Sequence, residues 1–288
     1  MASNSQQNIL RSWTLADTIL EFYGYAPGVA DALPKHVHEE YQFCFSVDFP
    51  GEYYYRGTFY AVPTTSLSVI HPDEVHSARD VDDRPTFSSY RVMYIKPEML
   101  QRLASEIGDR ATSYPFFPTP IILDPDLAHR YMRLHLAVEE GNSALEQEER
   151  LLSVLEQFML RYAEIRPTPR AIGSEQQRVR RVREYLAEHL TENIYLAQLS
   201  ELVNLSPYHL SRVFAQEVGL PPHRYQIQLR VARARILLSQ GLSLQTVAEQ
   251  TGFADQNHLA RHFKRLLRVT PGHYAAQNSK IVRDTNDE

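Results

Sequence analysis

The sequence predicts an α+β chain of two domains: a small antiparallel β-barrel or sandwich backed by helices, then an all-α domain built on a duplicated helical unit. Three observations predict it. Short stretches rich in Tyr, Phe and Val, interrupted by Pro and Gly, crowd the region from Leu33 to Tyr94. A unit of helix, tight turn and helix occurs twice between Ile194 and Tyr274. Between these regions, Arg166 to Ser174 reads RPTPRAIGS, the composition of a linker. The expected divisions are therefore a first domain over 1–165, a linker over 166–174 and a second domain over 175–288.

Composition supports this division. A chain of 288 residues suits two domains, and 43% hydrophobic content is enough to fill ordinary cores. The net charge of −5 is unevenly spread. From Glu175 onward there are 15 Lys and Arg against 11 Asp and Glu, a net of +4; the remainder carries −9. The basic residues gather as Arg178, Arg180, Arg181 and Arg183, then Arg230, Arg233 and Arg235, then Arg261, Lys264, Arg265 and Arg268. A basic domain behind an acidic one fits a polyanionic partner for the second half. The single cysteine, Cys44, allows no intrachain disulfide and points to a reducing compartment. Neither a leading apolar segment nor a bilayer-length one is visible, so the expectation is a cytoplasmic protein with no membrane association.

In the first domain the candidate strands are Tyr41–Val47, Glu52–Arg56, Thr58–Val62, Ser66–Ile70 and Ser88–Ile95. Alternation gives the first of them two unlike faces. Val37, Tyr41, Phe43, Phe45 and Val47 share one parity, whereas His36, His38, Glu40, Gln42, Cys44 and Ser46 share the other. Three helices are expected next. Pro97–Ile107 places Met99, Leu100, Leu103 and Ile107 on one side, and Pro125–Glu140 carries Leu127, Tyr131, Leu134 and Val138. Ala144–Ile165 carries Leu151, Leu155, Phe158, Met159 and Tyr162, with a turn at Gly141-Asn142 joining the last two helices. Their apolar stripes serve either the core or a homodimer interface, with Leu151 and Leu155 the candidates to face a partner.

In the second domain, LAQLSELVNLSPYHLSRVF (Leu196–Phe214) and LQTVAEQTGFADQNHLARHF (Leu244–Phe263) align. Leu196 matches Leu244, Leu199 matches Val247 and Ser200 matches Ala248. One extra residue then enters the second turn, after which Ser206 matches Asp255, Leu210 matches Leu259 and Phe214 matches Phe263. Ser206 before Pro207, and Asp255 before Gln256, are helix-capping residues. Between the copies, Ile227, Val231, Ala234 and Leu238 recur at helical spacing in a rod ending at Gly241. Each copy has the layout of a helix-turn-helix, whose second helix can enter a major groove of double-stranded DNA. The rod would set the two recognition helices about one DNA turn, roughly 34 Å, apart. Tyr208, Ser211 and Arg212 are the expected base readers of the first copy, and Gln256, Asn257, His258 and Arg261 those of the second. Lys264 and Arg265 are expected on phosphates.

The segment GFADQNHLARHFKRLLRVTPGHY, Gly252 to Tyr274, resembles the C-terminal signature of the AraC/XylS transcription regulators. Three features depart from that pattern: Arg268 stands where Gly is usual, Ala215 replaces a common basic residue, and no Arg follows Tyr274. In the first domain, Pro34, His36-x-His38, Gly51 and HPDEVH (His71–His76) resemble the cupin-like sensor domain of many such regulators, with Thr65 and Asp73 where glycines are common. The resemblance implies a regulator governed by a small-molecule effector, acting on an operator or promoter with RNA polymerase, as a homodimer. It also implies an effector pocket containing His36, His38, Gln42 and His76, with Trp13 in an N-terminal arm over the barrel mouth. Cupin enzymes place a metal on such histidines, but Gln42 stands where their carboxylate is expected, and an amide is a poorer ligand for a hard cation. The expectation is a polar pocket without metal or cofactor in a protein that is not an enzyme. The alternative is a metal-dependent cupin enzyme fused to a DNA-binding domain.

Overall fold

The computed structural model describes residues 8–108, 114–164, 175–267 and 269–276. The chain divides into two compact units, Met1–Gly141 with Arg150–Ala171, and Asn142–Glu149 with Ile172–Glu288. The expected linker and Arg268 lie outside the described residues.

The first unit is built on two antiparallel sheets. Its strands are β1 (Ile9–Leu15), β2 (Thr18–Tyr25), β3 (Tyr41–Ser46), β4 (Gly51–Tyr55), β5 (Thr58–Val62), β6 (Leu67–Ile70), β7 (His76–Asp80), β8 (Ser88–Ile95) and the short β9 (Ile121–Ile122). One sheet has the order β1-β2-β8-β3-β6-β9 and the other β5-β4-β7. The helices α1 (Pro97–Ile107), α2 (Pro125–Glu139) and α3 (Ala144–Tyr162) match the expected helices to within a few residues. Every residue of β3 is buried. On its apolar parity, Phe43 packs against Phe158 of α3 and Phe117, while Phe45 meets Tyr131 of α2. The Tyr131 hydroxyl donates to the carbonyls of Phe43 and Arg91, so the helix is tied to the sheet by hydrogen bonds as well as by packing.

Two expectations are corrected here. The β3 strand does not extend back to His36 and His38; His36 instead makes an isolated bridge to His76. Leu151 and Leu155 are buried in the chain itself, at 2% and 0% exposure, so they are core residues and not a face for a partner. Thr65 and Asp73, which replace common glycines, both take left-handed backbone, with φ of 60° and 58°. Both turns have the backbone shape that favours glycine, with larger side chains in it.

The second unit contains α4 (Gln176–Glu188), α5 (Leu196–Val203), α6 (Pro207–Val218), α7 (Pro222–Ser239), α8 (Leu244–Gln250) and α9 (Gln256–Leu267). Both predicted caps form: Ser206 Oγ accepts from the His209 N–H at 3.2 Å, and Asp255 Oδ1 accepts from the His258 N–H at 2.6 Å. Ile227, Val231, Ala234 and Leu238 of α7 join Val247, Phe253, Leu259 and Phe263 in one core. Asn204 ends α5 in left-handed backbone, and Gly252 takes the same conformation beyond α8. At Gly252 the requirement is doubled, because a Cβ would lie 2.7 Å from the Thr191 backbone.

These turns make opposite predictions. Gly252→Ala combines left-handed strain with a backbone clash and should destabilise the chain by about 2 kcal/mol or more. Thr65→Gly relieves a β-branched residue at positive φ and should stabilise it by up to about 1 kcal/mol after the entropy cost of glycine. Denaturant melts of both variants check the signs.

Candidate functional site

The polar parity of β3 faces a cavity of about 400 Å³ between the two sheets. Gln42 and Cys44 line it, with Tyr23 and Tyr25 from β2, Tyr90 and Tyr94 from β8, Tyr53 from β4, and His36 and His76. Gln42, His36 and His76 are among the residues expected from the sequence; nearby tyrosines were expected as well, but none by number. The alternation Tyr23-Gly24-Tyr25, set against the apolar Leu20 and Phe22, was the signal for the β1–β2 hairpin that supplies two of them. Burial raises the Tyr25 and Tyr90 hydroxyls above their ordinary range and Tyr94 to about 12. These phenols stay protonated at neutral pH and can donate. Burial likewise pushes the Cys44 thiol up to about 11, which leaves it unreactive.

The imidazoles are oriented alike. His36 Nδ1 lies 2.9 Å from the Pro34 carbonyl, His38 Nδ1 lies 2.7 Å from that of Glu40, and His76 Nδ1 lies 3.0 Å from that of Glu74. A carbonyl only accepts, so in each ring Nδ1 carries the proton and donates. In a neutral ring the lone pair is then on Nε2. His76 is 1% exposed, and its Nε2 is buried with no hydrogen-bond partner among the described residues. Burial, reinforced by His36 and His38, lowers its pKa to about 4, so the ring stays neutral and Nε2 remains a bare acceptor. The His36 and His38 rings lie 4.2 and 4.9 Å from that of His76. His38 sits behind the lining with its Nε2 3.1 Å from the Gln42 side-chain amide; because the Nδ1 proton is donated to the Glu40 carbonyl, Nε2 accepts and the amide's NH2 is the group that donates to it. Among the described residues no group of three His, Cys, Asp or Glu is placed to hold a metal ion. Trp13 does not line the cavity. It lies in β1, paired with Leu20 of β2, so the expected arm is an edge strand.

The second unit presents its polar residues on α6 and α9. Gln256, Asn257, Arg261, Lys264 and Arg265 are exposed, and Ser211 and Arg212 are partly so. Tyr208 and His258 are corrections: they are 3% and 8% exposed and face inward. His258 Nε2 sits 2.9 Å from His262 Nε2, beside the Phe253 ring, which gives it a packing role. Arg230 is another, since this residue of the basic clusters is 3% exposed and donates to the carbonyls of Leu190 and Glu192, both at 2.8 Å. Its charge ties the loop after α4 to α7. It does not reach solvent.

A barrel with a cavity lined by tyrosines and histidines, followed by two helix-turn-helix units, fits a ligand-binding, DNA-binding regulator. Residues 20–155 match the family model described as AraC-like ligand binding domain, and residues 199–277 match that described as helix-turn-helix domain. The chain is 30% identical over 232 residues to the uncharacterized HTH-type transcriptional regulator YbfI of Bacillus subtilis, covering 81% of this chain and 83% of that one. It belongs to the AraC/XylS family of transcription regulators. It is also 31% identical over 140 residues to the arabinose operon regulatory protein of Escherichia coli, 46% of each chain. Among solved structures, the C-terminal domain of AraT from Geobacillus stearothermophilus is 30% identical, with 36% of this chain and 88% of that one covered and a TM-score of 0.34.

Two buried histidines of the first unit set a pH dependence. His71 and His76 have folded pKa values lowered to about 4, chiefly by burial, from 6.5. Between pH 6.5 and 4 the unfolded chain binds protons that these folded rings refuse, so their contribution to stability is intact above pH 6.5 and lost as pH falls toward 4. Melting temperatures of His76→Asn should fall less steeply over that window than those of the parent chain.

Proposed function

We propose that the cavity between the sheets binds an uncharged effector that donates a hydrogen bond to His76 Nε2. The carrying observation is that buried, unpartnered, neutral acceptor. Leaving such an atom unpaired costs on the order of 1–3 kcal/mol, and a hydroxyl or amine on the ligand recovers it. A bare carboxylate would set acceptor against acceptor. The protonated tyrosines offer donors and flat apolar walls for the rest of the molecule, and 400 Å³ suits a small metabolite. Gln42 occupies the place of a metal-binding carboxylate and is engaged with His38, which supports a sensory pocket and a protein without enzymatic activity. A homodimer and a contact with RNA polymerase complete the reading by family resemblance, and a cytoplasmic location follows from its DNA target. The described helices include none long and apolar enough to cross a membrane.

On DNA, α6 and α9 take successive major-groove segments. Ser211 and Arg212 read one, and Gln256, Asn257 and Arg261 read the other. Lys264 and Arg265, in the last turn of α9, hold phosphates.

On a duplex selected from a random library, Arg212→Ala and Arg261→Ala should each cost about 1–3 kcal/mol and relax base preference in different halves of the site. Lys264→Ala should weaken all sequences alike and reduce the salt slope by about one. Retention of full base preference by both arginine variants would sink the docking scheme.

Effector screening by thermal shift should return hydroxyl- or amine-bearing hits whose stabilisation is lost in His76→Ala, while that variant still binds the selected duplex. Hits that are mainly carboxylates, with affinities indifferent to His76, would overturn the pocket chemistry but not the family.

A further inference from the structure

The second unit includes eight residues that come from far earlier in the chain. Asn142–Glu149, the start of α3, belongs with 172–288 and ends in the acidic run Glu146, Glu148 and Glu149. Glu146 and Glu149 are 5% and 6% exposed, a degree of burial that carboxylates rarely have without partners. Glu149 and its neighbour Glu148 find theirs at helix N-termini. Glu148 Oε2 accepts the Leu196 N–H at 2.6 Å, the first donor of α5. Glu149 Oε1 accepts the His223 N–H at 3.1 Å, and its other oxygen takes the proton of His223 Nδ1. Asn193, in turn, accepts the Ala144 N–H at 3.1 Å, so the attachment is reciprocal.

Neither helix caps these donors itself. The N-cap of α5 is Tyr195, whose side chain has no oxygen placed to cap; Gln198 accepts only the Tyr195 N–H. The N-cap of α7 is Pro221, followed by Pro222, so His223 offers the first N–H of that helix. Ser206, Ser243 and Asp255 cap α6, α8 and α9 with their own side chains. The two borrowed caps thus belong to the helices immediately before and after the first recognition helix. A carboxylate there also meets the positive end of each helix dipole.

We propose that Glu148 and Glu149 are positioning residues for DNA binding: by capping α5 and α7 they hold α6, the first recognition helix, in its reading orientation. The second helix-turn-helix has its own caps and does not depend on them. The capping by Glu148 and Glu149 is therefore specific to the helices that flank the first recognition helix.

The test uses the full chain with Glu148→Ala, Glu149→Ala, the double variant, and the amide replacements Glu148→Gln and Glu149→Gln. Glu148→Gln keeps an acceptor for Leu196, and Glu149→Gln keeps one for His223. Amide exchange is measured at Leu196 and His223, and binding on a library-selected duplex with either half scrambled. Each alanine variant should speed exchange at its own amide by about fivefold or more. The double variant should lose about tenfold or more in affinity through the half read by α6, with contacts to the α9 half unchanged. The glutamine variants should restore most of both effects. Unchanged exchange at both amides would overturn the capping. Equal loss through both halves would show general destabilisation and overturn the positioning role. The half-site measurement rests on the proposed division of reading between α6 and α9, whereas amide exchange does not, so failure of either reading is recognised separately. Should the double variant not fold, the single and glutamine variants decide the same question.

Discussion

The first unit depends on a strand that has no solvent face. With all of β3 buried, its two parities must each find a complementary surface. Phe43 and Phe45 are covered by the helices behind the sheet, so α2 and α3 are required for the barrel to keep its apolar side from water. Gln42 and Cys44 are covered by the facing three-stranded sheet, and because Gln42 is polar that space remains a lined cavity instead of closing into core. A hydrophobic residue at 42 would favour filling. A charged one would demand a counter-ion. The amide accepts and donates without either consequence.

The histidines extend this logic. A loop carbonyl fixes each Nδ1 proton, so backbone conformation decides which nitrogen can face a ligand. The His36–His76 bridge joins the loop before β3 to the start of β7, and the hydrogen bonds between the two residues run both ways at 2.9 and 3.0 Å. Pocket chemistry is therefore set by main-chain geometry that side-chain patterning does not display. That is why a strand extrapolated from Tyr41 back through His36 put His36 in the wrong element.

Much else was legible. The duplication, both side-chain caps, the rod over α7 and five of the strands follow from periodicity and turn chemistry, which are local. What was not legible is long-range. Tyr208 lies near the start of a recognition helix, as a base reader would, yet tertiary packing buries it. Leu151 and Leu155 have the spacing of an interface and the burial of a core, a distinction that spacing alone does not make. Arg230 counts as positive charge in a tally, but its guanidinium is spent on two carbonyls and burial lowers its pKa to about 10. The caps on α5 and α7 lie 48 and 74 residues away in sequence, beyond the reach of any rule that looks for a cap beside its helix.

Those distant caps bear on how a bound effector could matter to DNA. Affinity for the ligand shifts nothing by itself; the ligand must favour one state of some element over another. The candidate element should be worth about as much as the coupling it carries, typically 1–3 kcal/mol. A side-chain cap contributes about 1 kcal/mol, more when the acceptor is charged. Two of them fall in that range. A larger tie would be too strong for a metabolite to bias, and a single exposed ion pair too weak to be felt against thermal motion. The capping pair at Glu148 and Glu149 lies between those limits.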